Sequence, residues 1–209
     1  MPVSRRTFLS AAGAASVMPR SLHPLELAPR NVLASDRYDN SVTASTSALD
    51  SQRMKALAAF TALTLDTPSP VPFGAEIFHT TTGESLMRSL NAVGTDHDPS
   101  SHAEVRTIRL ACQKLKGFSL AGYTLYTTCE PCPMCMSDAL WAGLDRVVYG
   151  ATIEDANKFC RQIQISAREV AKRSDMTCIV DGPIEQAACL ALFTHPNMQK
   201  AFKLWSVKR

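Results

Sequence analysis

Four side chains in two short pieces of this chain could together run one reaction. His102 and Glu104 stand in Ser101-His102-Ala103-Glu104, and Cys132 and Cys135 stand in Pro131-Cys132-Pro133-Met134-Cys135. A Cys-x-x-Cys pair brings two thiolates to one metal, and an imidazole adds a third donor. Three protein donors leave a fourth position open, which is the count of a catalytic zinc site; structural sites close with four. Two thiolates and a neutral imidazole cancel the charge of Zn2+, which then acidifies a water in its open position. A carboxylate beside it, Glu104, can take that water's proton and pass it on. A redox pair or a disulfide would account for the cysteines but gives no reason for a distant His-x-Glu.

The elements around these residues must bring them together. Tyr123 to Thr128 is β-branched and aromatic, which predicts a strand. Met134 to Ala142 are good helix formers, with Pro133 near the first helical position. The cysteines therefore fall at a strand-to-helix turn, where a helix N-terminus favours thiolate over thiol. Asp98-Pro99-Ser100-Ser101 is a helix-start signal ahead of His102. Val105, Ile108, Cys112 and Leu115 then recur at helical spacing as the expected core-facing stripe. On a regular helix His102 and Glu104 would point roughly 200° apart, so both reach one site only off the helix end. The expectation is two helix N-termini meeting around one metal.

His-x-Glu followed by Pro-Cys-x-x-Cys is the signature of zinc-dependent nucleobase deaminases. Beyond that signature the sequence resembles the cytidine/nucleobase deaminase superfamily, nearest its guanine deaminase and tRNA adenosine deaminase branch. Asp98-Pro99-Ser100-Ser101-His102-Ala103-Glu104 is similar to the branch's Asp-Pro-Thr-Ala-His-Ala-Glu. Pro72-Phe73-Gly74-Ala75, running into Glu76-Ile77-Phe78, resembles its first strand. Leu125 to Cys135 resembles the guanine deaminase form, in which a cysteine (here Cys129) precedes Glu-Pro. Trp141-Ala142 and Arg146-Val147-Val148-Tyr149-Gly150 also fit.

The resemblance implies Zn2+ on His102, Cys132 and Cys135, and Glu104 as the catalytic proton carrier. It implies a substrate oriented by Asn91 and by the backbone around Ala103, with Phe73 either lining the pocket or lying in the core. It also implies a homodimer. Guanine deaminases carry a further acidic segment near the site; here Asp155-Ala156-Asn157-Lys158-Phe159-Cys160 stands there, with Asp155 as the loose candidate for a second proton carrier. The Cys-Glu-Pro form points to guanine first, with adenine, cytosine and their nucleosides next. A deaminase of tRNA or single-stranded nucleic acid is the rival enzyme, and a catalytically silent zinc-binding module is the rival of another class. Cys129 is off ligand spacing and reads as a small buried apolar residue.

Residues 1–34 read as a leader. Ser4-Arg5-Arg6-Thr7-Phe8-Leu9 resembles a twin-arginine export signal, followed by an apolar run too short to span a membrane. Val32-Leu33-Ala34 offers a small-residue cleavage site. Export to the periplasm or beyond is the expectation. The chain has 22 Lys and Arg against 19 Asp and Glu, and the excess lies in the leader, leaving 18 of each sign after residue 34. A neutral mature domain argues for a small-molecule nucleobase or nucleoside over nucleic acid, which selects a basic face. The seven cysteines do not form the pattern of a disulfide scaffold.

The rest of the chain reads as a polar linker over 35–50 and one domain over 51–209. The domain opens with a helix from Ser51 to Leu65, with Met54, Leu57 and Phe60 facing inward. Strands are expected at 75–79, 85–90, 123–128, 146–150 and 177–181. Further helices are expected near 154–161, near 166–173 and from Glu185 onward. Alternating strands and helices predict a three-layer α/β/α sandwich with a mixed central sheet.

Overall fold

The computed structural model describes residues 40–207; residues 1–34, read above as a leader with a cleavage site, lie outside the described residues. The order of elements is α1 (Asn40–Ala62), β1 (Gly74–His79), β2 (Ser85–Leu90), α2 (Val93–Asp96), α3 (Ala103–Leu115), β3 (Tyr123–Cys129), α4 (Pro133–Trp141), β4 (Arg146–Ala151), α5 (Ile153–Asn157), α6 (Ala167–Lys172), β5 (Ile179–Asp181), α7 (Gln186–Thr194) and α8 (Pro196–Val207). The strands form one sheet in the order β2-β1-β3-β4-β5. β1 pairs antiparallel with β2 and β3, and β3-β4 and β4-β5 are parallel. The mixed sheet is the expected one.

Successive strand residues point to opposite faces, and here both faces are covered. Tyr126 and Val148 enter a core with Met54, Leu57, Cys189, Phe193 and Phe202, from α1, α7 and α8. Their neighbours Leu125 and Val147 enter a second core with Ile108, Met136, Ala139 and Leu140, from α3 and α4. Two cores on two faces make three layers. The central strands β3 and β4 accordingly read as continuous buried runs rather than alternating ones. Close packing fixes Gly150: a Cβ there would lie 2.2 Å from Cys189 Sγ and 2.9 Å from the Thr128 carbonyl oxygen.

The structure departs from the sequence reading in several places. The segment read as a linker is helical from Asn40. Asp50, within that segment, is buried. It accepts from Tyr126 Oη at 2.5 Å and from both terminal nitrogens of Arg146 at 2.9 and 2.7 Å. This bidentate pair ties α1 to β3 and β4, so polar composition conceals a structural anchor. The buried face of α3 is Ala103, Glu104, Thr107, Ile108 and Ala111; of the expected stripe Ile108 lies in the second core and Cys112 packs partly buried against it, whereas Val105 and Leu115 are off that face. Leu115 is 42% exposed. Placing His102 at the N-cap rotates the helix, and its small residues let it lie close on the sheet. α1 stops at Ala62, α5 spans only Ile153–Asn157, and β5 is an edge strand of three residues. The short α2 was not foreseen.

Candidate metal centre and active site

His102 is the N-cap of α3 and Cys132 the N-cap of α4, both with extended backbone. The two first turns face each other. An aspartate-serine brace sets the first: Ser100 donates to Asp98 Oδ1 from its N–H at 2.8 Å and its hydroxyl at 2.7 Å. Ser101 Oγ donates to Asp96 Oδ2 at 2.8 Å. Glu130 sets the second. Its carboxylate accepts from the Ile153 N–H at 3.1 Å and the Ala167 N–H at 2.9 Å, the first residues of α5 and α6. A buried carboxylate shared by two helix N-termini has its charge well placed. The sequence reading gave Glu130 no task beyond the Cys-Glu-Pro signature; a lone acid at the end of a buried strand is the signal it carries.

The donor atoms converge. His102 Nδ1 lies 3.8 Å from Cys132 Sγ and 3.5 Å from Cys135 Sγ, and the two sulfurs are 3.6 Å apart. These three residues form a group able to hold a metal ion. The edges of a tetrahedron with ordinary Zn–S and Zn–N bond lengths are about 3.8 Å between sulfurs and about 3.6 Å from sulfur to nitrogen. The donor set therefore fits zinc. The sulfurs are too far apart for a disulfide, and the seven cysteines are free.

The electrostatics are those of a site made for a cation. Cys132 is lowered to about 4, principally by hydrogen bonding with Cys135, with His102 adding to it. Cys135 is raised in return by the same hydrogen bond and by burial. A proton shared between two thiols is what a divalent cation displaces. Glu104 is pushed up to about 7, chiefly by burial and further by Cys132, against the lowering pull of His102.

Above the donors opens a pocket of about 640 Å³. His102, Cys132 and Glu104 line it, and so do Asn91 and Phe73. Backbone bonds lock these walls together. Asn91 N–H donates to the Phe73 carbonyl at 3.0 Å, and Ala92 N–H donates to the Ser101 carbonyl at 2.9 Å. Thr128 Oγ1 accepts from Gly74 N–H at 3.0 Å and donates to the Pro72 carbonyl at 2.9 Å. The Asn91 side-chain amide has no hydrogen-bond partner among the described residues. Ala103 is fully buried with its side chain in the second core, so only its backbone can face a substrate. Cys129 is buried, as read.

Asp155 is not on these walls. Its carboxylate caps α5 through the Thr152 N–H, and it accepts from Lys158 Nζ at 2.9 Å and Gln186 Nε2 at 2.6 Å. A carboxylate so occupied stabilises a helix start, and the structure gives it no place as a second proton carrier. The walls instead include Arg161, Gln162 and Trp205, from the loop after α5 and from α8. No motif flagged them, because they become neighbours of the donors only through the tertiary fold. A larger open groove of about 1240 Å³, between α4 and α6, contains none of the donors.

Fold and donor set together describe a zinc-binding domain of the nucleobase-deaminase kind. Residues 48–151 match the family model described as the cytidine and deoxycytidylate deaminase zinc-binding region. The chain is 32% identical over 116 residues to a tRNA-specific adenosine deaminase of Bacillus subtilis, covering 56% of this chain and 70% of that protein. It is 45% identical over 85 residues to a guanine deaminase of the same organism, covering 41% of this chain and 53% of that protein. The chain spans about half the length of that guanine deaminase. The solved guanine deaminase of Nitrosomonas europaea shares the fold, with a TM-score of 0.62 and 21% identity over 73% of this chain and 83% of that one. The chain belongs to the cytidine and deoxycytidylate deaminase family.

Proposed function

We propose that this protein is a hydrolytic deaminase of a small nucleobase compound, a free base or its nucleoside, with guanine as the preferred base. Water replaces an exocyclic amine on the ring, leaving a carbonyl and ammonia. The observation that carries this reading is the placement of Glu104 in the same pocket wall as His102 and Cys132. A structural zinc module has no use for a buried carboxyl group beside its open face.

Zn2+ held by these donors would supply Lewis acidity at its open position. The rest falls to the chain. Glu104, raised to about 7 by burial, exchanges a proton near neutrality, as a general acid-base group should. It moves a proton to the ring nitrogen and then to the departing amine. Asn91 offers an amide donor and acceptor to the edge of the base. The Ala103 N–H, in the first turn of α3 and without a partner inside the helix, adds a donor. Phe73 gives the ring an apolar wall.

Guanine is supported by the Cys129-Glu130-Pro131 form and by the 45% identity to a guanine deaminase. The even charge balance after residue 34 supports a small molecule over nucleic acid. The twin-arginine-like leader supports an exported enzyme, and the family resemblance supports a homodimer. Ammonia release from a panel of free bases, nucleosides and a tRNA anticodon stem-loop tests the reading. Turnover of guanine or guanosine above the others is expected. Turnover confined to the stem-loop would replace it with the nucleic-acid reading, and no turnover by zinc-loaded protein would leave a silent metal module.

A further inference from the structure

One wall of the pocket is a continuous stretch of chain, from Leu90 at the end of β2 to Thr95 in α2. Asn91, read above as the residue that orients the base, rides on this stretch. Apolar packing does little to hold it. Helix α2 buries none of its residues, and between Leu90 and Asp96 only Ala92 is buried. A segment with so little buried apolar surface opens at low cost unless polar ties keep it in place.

The ties converge on Ser101 and Asp96. Ser101 stands directly before His102 and is fully buried. Its carbonyl accepts from the Ala92 N–H at 2.9 Å, and its own N–H donates to the Asp98 carbonyl at 3.1 Å. Its hydroxyl donates to Asp96 Oδ2 at 2.8 Å, with Asp98 Oδ2 farther off at 3.5 Å. Asp96 is the last residue of α2, and its N–H donates to the Ala92 carbonyl at 2.8 Å. Arg106 closes the ring from α3. Its Nε lies 3.8 Å from Asp96 Oδ2, and its Nη1 donates to the Leu90 carbonyl at 3.4 Å. Both ends of the wall are thus tied to the opening of α3, where His102 and Glu104 stand. The Ser101–Asp96 bond is the shortest side-chain tie in this ring, and a bond to a carboxylate is among the stronger kinds. The branch motif quoted above has alanine where Ser101 stands, so this tie is the chain's own.

We propose that Ser101 and Asp96 are positioning residues for the substrate: their hydrogen bond holds the Leu90–Thr95 wall closed against α3 and so fixes Asn91 relative to His102 and Glu104. This rests on the deaminase reading and names the pair that sets its base-binding wall. Neither side chain lines the pocket itself, so both act through the wall. Without the bond the wall opens. The base then binds only the closed fraction, and its apparent affinity falls by that fraction. Once formed, the bound complex is the same, so the chemical step keeps its rate. The signature is a raised KM at a preserved kcat.

The test measures kcat and KM for guanine by ammonia release, with zinc content on the same preparations. Ser101→Ala removes one buried hydroxyl, adds no volume and leaves Asp96 partly exposed beside Arg106, so the fold is kept. Loss of the bond is expected to raise KM about five- to tenfold, with kcat within about twofold of wild type and zinc at full stoichiometry. Asp96→Ala should do the same, and the double variant should be no worse than Asp96→Ala, because the two groups form one tie. Asp96→Asn keeps an acceptor for Ser101 and should recover most of the wild-type KM. The proposal is overturned if KM stays within about twofold in both alanine variants, if kcat falls at unchanged KM, or if activity is lost only in proportion to zinc. Hydrogen exchange followed by mass spectrometry on zinc-loaded, substrate-free protein reads the wall directly. Amides of residues 91–96 should exchange at least about fivefold faster in Ser101→Ala, with β3 and β4 unchanged. Equal exchange in the two proteins would overturn the proposal. If wild type releases no ammonia from any base, the deaminase reading fails by itself, and the exchange measurement alone decides whether this pair holds the wall.

Discussion

His102 Nδ1 and Cys135 Sγ lie 3.5 Å apart, although 33 residues separate them in sequence. Neither residue explains the other locally. Each is held in the opening turn of its own helix, and the two helices pack on the same face of the sheet. One zinc per chain is expected in purified protein, measured by inductively coupled plasma mass spectrometry. Cys135→Ala and His102→Ala should each lower metal content to well below half at equal protein concentration. Full zinc content in both variants would show that the metal sits elsewhere.

Glu104 stands within the same first turn, yet its carboxyl is not needed to complete the donor set. Glu104→Gln should keep zinc at wild-type stoichiometry while kcat falls by about a hundredfold to ten-thousandfold. Zinc content and turnover are measured on the same preparation. Turnover within about tenfold of wild type would remove Glu104 from the proton-transfer role. Loss of zinc together with turnover would make it a structural support for the metal.

Glu130 links the cysteine loop to two later helices through the N–H groups of Ile153 and Ala167. Removing the carboxylate leaves two buried N–H groups without acceptors, at about 1–3 kcal/mol for each group left unpaired. Glu130→Ala is therefore expected to lower the urea midpoint clearly and to weaken zinc binding through Pro131 and Cys132. Chelator competition reads the second effect. An unchanged midpoint would mean that water or a rearranged side chain serves both N–H groups.

The reactive core of this protein was legible because its chemistry is local. His102, Glu104, Cys132 and Cys135 sit at helix starts, and capping residues and prolines mark helix starts in sequence. β3 and β4 were legible because buried central strands are unbroken apolar runs. Other features depend on distance along the chain. Asp50 looked like part of a polar tether until Arg146 and Tyr126, on strands far away in sequence, closed around it. The buried face of α3 kept Ile108 of the hydrophobic stripe but took in Ala103, Glu104, Thr107 and Ala111 in place of Val105 and Leu115. Asp155 carried the right chemistry for the site but was already taken by Lys158 and Gln186. Arg161 and Trp205 reach the pocket only through the packing of α5 and α8, which no local pattern encodes.

Asp155 gives a pH-dependent test of its reassignment from catalysis to helix capping. Its carboxyl is lowered from 3.8 to about 2, first by Lys158 and then by Gln186. A carboxyl whose folded value is depressed stabilises the fold above its unfolded value, and that contribution is lost as pH falls through the folded value. The stabilisation is thus fully present above about pH 4 and disappears toward about pH 2. Asp155→Asn should have a lower urea midpoint than wild type at neutral pH, with the gap closing across that acid window. Comparing both proteins at each pH cancels the acid sensitivity of metal binding, which they share. Turnover of Asp155→Asn at neutral pH and moderate temperature should remain within about threefold of wild type, since its carboxylate is off the pocket wall. A gap that stays constant down to about pH 2 would dismiss the ionised cap. A loss of turnover by orders of magnitude in folded, zinc-loaded variant would return Asp155 to the reaction.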